Sequence, residues 1–175
     1  MLDTTLSCYT DGLFGYAMVL SRNPAEAADL VQETYVRALK AQKNLRPSSN
    51  VKSWLFTILR NIWLNQLRHE RNAPEIVVLE AHESIANVAV ETSKDPHGQY
   101  VSGIDQERVR NAIQQLPEEF REIIVLREYE GLSYQEIAAL LHCPAGTVMS
   151  RLARARSKLR RLLSVNDQSF QGNKH

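Results

Sequence analysis

The chain has 175 residues, 43% hydrophobic and 23% charged, with a formal net charge of +1, an ordinary globular composition that fits two small domains better than one. The near-neutral total excludes nucleic-acid binding by global positive charge, so any such binding must come from local segregation. Two distant cysteines and five scattered histidines signal neither a disulfide framework nor a metal or cofactor site.

Leu6, Tyr9, Leu13, Ala17 and Leu20 predict a first amphipathic helix ending near Asn23-Pro24, by their recurrence at helical spacing. A second helix starts there, with Asn23 as cap, Pro24 at a position that loses no amide bond, and Glu26 at the capping-box position. Ala27, Leu30, Val31, Thr34 and Ala38 form its inner side; Asp29, Gln32, Glu33, Val36 and Lys40 form the outer one. By the residues alone that outer face reads as solvated, because acids near a helix start are routine.

Asn44 to Asn50, NLRPSSN, is a turn-rich break. A third helix follows, with Val51, Leu55, Ile58 and Ile62 as the expected buried stripe. Lys52, Ser53, Arg60, Asn61, Asn65 and Arg68 present polar side chains, with Trp54, Phe56 and Trp63 interleaved. Between Arg37 and Arg71 stand eight Lys or Arg and one acid, Glu70. Basic residues interleaved with aromatics suit single-stranded DNA, although Trp54 and Trp63 read better as core than as stacking residues, and Asn61 with Asn65 also reads as a plain surface pair. From Asn72 to Ile104 helical regularity is lost, and Glu75, Glu80, Glu83, Glu91 and Asp95 face only Lys94. This reads as an acidic linker. Val109, Ile113 and Leu116 resume the helical pattern, and Pro117 opens a helix carrying Phe120, Ile123, Ile124 and Leu126 that Gly131 stops.

Gly131 to Leu163 reads as a helix-turn-helix. Ser133 and Glu136 form an S-x-x-E capping box, Ile137, Ala138 and Leu141 recur at helical spacing, and residues 142–146 interrupt with a proline and a glycine. Val148, Leu152, Ala155, Leu159 and Leu162 then set the buried stripe of a second helix. Thr147, Ser150, Arg151, Arg154, Lys158 and Arg161 fall on another face, with Arg156 and Arg160 on the far flank, and from Thr147 to Leu163 there are six basic residues and no acid. Such a face is either simply solvated or suited to a major groove, where Arg bonds guanine edges and the remaining bases grip phosphate.

The segments NPAEAADLVQETYVRALK, VKSWLFTILRN and LPEEFREIIVLREYEGLSYQEIAALLHCPAGTVMSRLARARSKLR resemble, in order and spacing, the successive motifs of bacterial sigma factors of the extracytoplasmic-function class. The resemblance covers most of Leu6 to Leu163. It implies an all-α fold of two small helical domains joined by a flexible linker: residues 1–71, which bind polymerase and recognise and melt the minus-ten element; the acidic linker 72–104; residues 105–165, which read the minus-thirty-five element; and a flexible tail, 166–175. The implied activity is promoter selection without catalysis. The implied partners are core RNA polymerase, through its beta-prime clamp helices and beta flap, duplex and melted promoter DNA, and an anti-sigma protein.

Carried over by position, Asp29, Gln32 and Glu33 match the motif that binds the clamp helices. Leu45, Asn50, Lys52, Arg60, Asn61 and Asn65 match the minus-ten part, and Thr147, Ser150, Arg151, Arg154 and Lys158 the minus-thirty-five part. The linker is similar to the segment whose acids mimic RNA phosphates. Two residues depart from the pattern: Leu45, where relatives often have an aromatic residue, and Met149, where Lys or Arg is frequent. No signal-peptide start precedes Arg22 and no apolar run reaches membrane-spanning length, which predicts a cytoplasmic protein without membrane insertion. The competing function is a dimeric helix-turn-helix regulator of duplex DNA; a helical nuclease lacks any convergent acid cluster or nucleophile-base pair.

Overall fold

The structure is a computed structural model that describes residues 8–44, 50–72 and 103–171. Leu6, Leu45 and the linker acids Glu75, Glu80, Glu83, Glu91 and Asp95 lie outside the described residues. All regular structure among the described residues is helical, and the chain divides into two compact units. The first holds α1 (Thr10–Ser21), α2 (Pro24–Ala41), a 3-10 turn (Gln42–Asn44) and α3 (Val51–Asn72). The second holds α4 (Gly103–Gln114), α5 (Glu118–Ile124), a π-helical turn (Val125–Tyr129), α6 (Tyr134–Leu141) and α7 (Ala145–Gln171). No helix among the described residues is long and apolar enough to cross a membrane.

In the first unit each helix packs on the other two. Arg22, in the left-handed region at φ 56°, ends α1 and returns its amide to the Met18 carbonyl. Asn23 then caps α2, its Oδ1 accepting from the Ala25 amide at 2.9 Å, which satisfies one of the donors that a helix start leaves open. The inner residues Ala27, Leu30, Val31, Thr34 and Ala38 are all buried. Thr34 brings a hydroxyl into that core, but donates it to the Leu30 carbonyl at 2.6 Å, so that hydroxyl is not orphaned.

The stripe of α3 differs from the expected one. Leu55, Phe56, Leu59 and Ile62 are buried, whereas Val51 and Ile58 are only half-buried. Because α3 meets both α1 and α2, it needs a broader buried sector than a single four-residue repeat supplies. Phe56 fills that sector, stacked in a tilted arrangement 5.3 Å from the Tyr16 ring.

The second unit is assembled on α7, which packs against α4, α5 and α6. Arg121 is buried and its Nη2 donates to the carbonyls of Gln114 at 3.1 Å and Leu116 at 2.8 Å, closing the carbonyl end of α4 that would otherwise face the core unbonded. After α5 the backbone widens to i→i+5 bonding, the Glu130 amide reaching the Val125 carbonyl at 3.0 Å. Gly131 follows at φ 67°, a conformation open to a residue without Cβ.

The capping box at α6 is complete: the Glu136 carboxylate accepts from the Ser133 amide at 2.7 Å and the Ser133 hydroxyl from the Glu136 amide at 3.2 Å. Three details correct the sequence expectations. Leu140 rather than Leu141 faces the core. The turn is His142 to Pro144, with His142 at φ 53° and the Pro144 carbonyl already accepting from Thr147 and Val148; Gly146 therefore lies inside the helix. Finally, α7 continues as helix to Gln171, past residue 165, where a tail was expected to begin.

Candidate nucleic-acid interface

The outer face of α2 borders a groove. Asp29 and Gln32 are exposed and Glu33 half-buried, and the opposite wall is supplied by Asn65, Gln66 and His69 of α3. Glu33 Oε1 accepts from Arg37 Nε at 2.6 Å, one helical turn away, so its charge is already shared. Asp29 has no hydrogen bond or ion pair among the described residues. The groove thus offers one free carboxylate, one partly neutralised carboxylate and several amides around the apolar floor of Ile62 and Val36.

Asn65 joins this groove rather than standing apart with the other expected DNA contacts. Its Oδ1 accepts from Arg68 Nη1 at 3.2 Å, and its amide nitrogen has no partner among the described residues. Sequence reasoning missed Gln66 and His69. They continue the stripe of Ile62 by steps of four and three, and polar residues on a helix's apolar line were the available signal.

The remaining α3 residues do not share one face, contrary to expectation. Nine residues of helix turn Lys52 about 180° from Asn61, and five turn Arg60 about 140° from Asn65. Lys52 lies half-buried with its ammonium 6.0 Å from the Phe56 ring centroid. Asn50 caps α3, its Oδ1 accepting from the Ser53 amide at 3.3 Å. Arg60 is half-buried and Asn61 exposed. Asn61 and Asn65, about 40° apart, remain neighbours.

On α7 the stripe of Val148, Leu152 and Ala155 is fully buried, which fixes the rotation of every other side chain. Thr147 and Lys158 are half-buried, Ser150 and Arg154 exposed. The basic residues then divide by partner. Arg156 holds the Glu128 carboxylate with Nε at 3.0 Å and Nη2 at 2.5 Å, and that hydrogen bond raises its already high pKa further. Arg151 Nε lies 3.6 Å from Glu119 Oε2. Arg154 and Lys158 have no partner among the described residues. The Ser150 hydroxyl donates to the Thr147 carbonyl at 3.0 Å, so what it presents outward is an acceptor. A helix in the second position of a helix-turn-helix, with free bases and hydroxyls at its exposed amino-terminal half, has the form of a major-groove reader.

Comparison with known proteins bears on the whole chain. Residues 6–73 match the family described as Sigma-70 region 2, and residues 106–159 match Sigma-70, region 4. The ECF RNA polymerase sigma factor EcfG of Rhodopseudomonas palustris (strain TIE-1) is 41% identical over 154 residues, covering 88% of this chain and 80% of that protein. The chain belongs to the extracytoplasmic-function sigma factors.

Other relatives of this sigma factor agree. The RNA polymerase sigma-H factor of Pseudomonas aeruginosa is 32% identical over 158 residues, 89% of this chain and 82% of that one. The solved sigma factor RpoE of Bartonella quintana, crystallised with the anti-sigma factor NepR, superposes with a TM-score of 0.75 at 34% identity, over 94% of this chain and 97% of that one. A sigma factor directs promoter-specific initiation by core RNA polymerase, and the dimeric-regulator alternative is not favoured, because residues 6–73, outside the helix-turn-helix, match Sigma-70 region 2. The two matched regions fall one in each compact unit.

Proposed function

We propose that this sigma factor divides promoter recognition between its two units, residues 1–71 and 105–165, as the sequence boundaries suggest. In the first unit the groove between α2 and α3 seats the beta-prime clamp helices of core polymerase, with Asp29, Gln32 and Glu33 on one wall. Asn61, on the adjacent exposed side of α3, addresses a minus-ten base that has left the stack; extruding that base is costly, which makes its capture selective. Arg60, next to Asn61 in the chain, holds a nearby phosphate, whereas Lys52, about 180° from Asn61 around α3, and Asn50, which caps that helix, contact DNA away from the captured base.

In the second unit α7 enters the major groove of the minus-thirty-five element. Thr147, Ser150 and Arg154 approach base edges, and Arg151 and Lys158 hold the backbone. The observation that carries this reading is the contrast on one helix between Arg156, committed to Glu128, and Arg154 with Lys158, which have no partner among the described residues. The protein acts in the cytoplasm by binding, with no catalytic step of its own, and the acids of residues 72–104 follow the RNA path inside polymerase. By analogy with the relative crystallised with NepR, an anti-sigma protein covers the polymerase-facing surfaces.

Competition binding of holoenzyme to a promoter and to a duplex scrambled at minus thirty-five tests the assignment. Arg154→Ala is expected to lose about 1–3 kcal/mol on the promoter, the range for a good bidentate base contact, and much less on the scrambled duplex. Equal losses on both would make Arg154 a phosphate clamp rather than a reader.

A further inference from the structure

Met149 is the fifth residue of α7 and is 50% exposed, more than the other exposed large apolar side chains among the described residues, of which Leu39 and Tyr129 reach 42%. It follows Val148, which is fully buried. One residue of helix turns about 100°, so Met149 cannot rejoin the core by a rotamer change. Along its own side of the helix stand Gly146, three residues back, and the exposed Ala153, four residues on. Neither covers it, and a Cβ built at Gly146 would meet nothing within 4 Å. The result is a long, bare thioether side chain in the first turns of the reading helix, beside Ser150 and with only small residues along its side.

We infer that Met149 is a specificity-determining residue that packs on the 5-methyl group of a thymine in the minus-thirty-five element. The inference rests on the reading of α7 as the major-groove helix. In that groove the thymine methyl is the apolar group displayed among base-edge donors and acceptors, and apolar side chains read it by contact. An unbranched methionine has three rotatable bonds and a polarizable sulfur, which lets it reach across the groove floor and settle on one methyl. The small residues along its side let the helix backbone come close enough for that reach. A lysine or arginine here would instead seek phosphate or guanine, so the substitution shifts this position from charge to shape.

The test uses holoenzyme assembled from the full-length chain and core RNA polymerase. Duplexes enriched from a library randomised across the minus-thirty-five region give the preferred site, and each thymine in it is then replaced by uracil, which removes only the methyl. At one thymine the wild type is expected to lose about fourfold in affinity, the equivalent of one buried methyl. Met149→Ala and Met149→Gln should bind the unmodified site about as weakly as wild type binds the uracil duplex, and should show no further loss with uracil. Met149→Leu should keep the sensitivity. Gln matches methionine in length at an exposed position, so its loss is not a folding defect. If wild type selects a site but no uracil effect disappears in these variants, Met149 is not the reader, while α7 remains one. If wild-type holoenzyme prefers no sequence in the randomised region, the major-groove reading fails and the methyl contact with it.

Discussion

Arg154 and Arg156 are two residues apart on α7, carry the same charge, and have different surroundings because a helix turns about 200° between them. Arg156 ties α7 to Glu128 in the π-helical turn; Arg154 is left to the solvent side. Both partners of the Arg156 pair are 43% exposed, so solvent screening limits what the pair contributes. A double-mutant cycle of Glu128→Ala and Arg156→Ala, read by thermal unfolding, is expected to give a coupling of about 0.2–1 kcal/mol. Arg154→Ala should leave unfolding unchanged. A zero coupling would free Arg156 for DNA and widen the reading face. The sequence showed six bases on one helix; it did not show which of them had acidic partners in space, because Glu119 and Glu128 come from segments well separated from α7 in the chain.

At the scale of the element, the local signals that were most legible were those set by backbone chemistry. The Asn23 cap, the Ser133-Glu136 capping box and the inner face of α2 are read from residue type and spacing alone, since each depends on neighbours within one helical turn. The stripe of α3 was less legible, because the number of helices packed against it, rather than its own period, decided that Phe56 and Leu59 are inside. The π-helical turn over Val125–Tyr129 and the carbonyl-capping role of buried Arg121 left no local pattern at all. The same limit applies to the candidate site. Asp29, Gln32 and Glu33 were legible as an outer face, but that Asn65 closes their groove follows from how α2 and α3 pack.

That packing puts one of two neighbouring asparagines, Asn65 but not Asn61, on the groove wall. Asn65→Ala is expected to weaken core polymerase association as well as open-complex formation, because its side chain lines the groove with Asp29 and Glu33. Asn61→Ala should spare core association and reduce strand opening on linear promoter DNA. Core affinity measured by fluorescence anisotropy, beside permanganate reactivity of minus-ten thymines, distinguishes the two. Identical profiles for the two variants would return Asn65 to the DNA-facing side.

At the scale of the molecule, two small helical units share one chain, and its net charge of +1 conceals opposite local chemistries. The groove of the first unit is acidic and amide-lined; the outward face of α7 is basic. On the proposed assignment of these surfaces, this segregation lets one chain engage both a protein surface and DNA without a global positive charge. It also predicts that losses in the two units arise at separate steps. Asp29→Ala with Glu33→Ala should lower holoenzyme formation, and any holoenzyme that does form should retain wild-type promoter preference. Reduced sequence preference in that holoenzyme would mean that the groove takes part in reading DNA.

The most direct measurement is initiation itself. Purified core RNA polymerase and the chain are supplied with linear templates randomised over the upstream region, and the transcripts are sequenced together with the templates that produced them. The expected transcripts depend on the chain and come from templates sharing two short motifs at a fixed spacing, near minus thirty-five and minus ten. Arg154→Ala should degrade the first motif and Asn61→Ala the second. Transcripts no more abundant than with core polymerase alone, or drawn from templates without shared motifs, would contradict it.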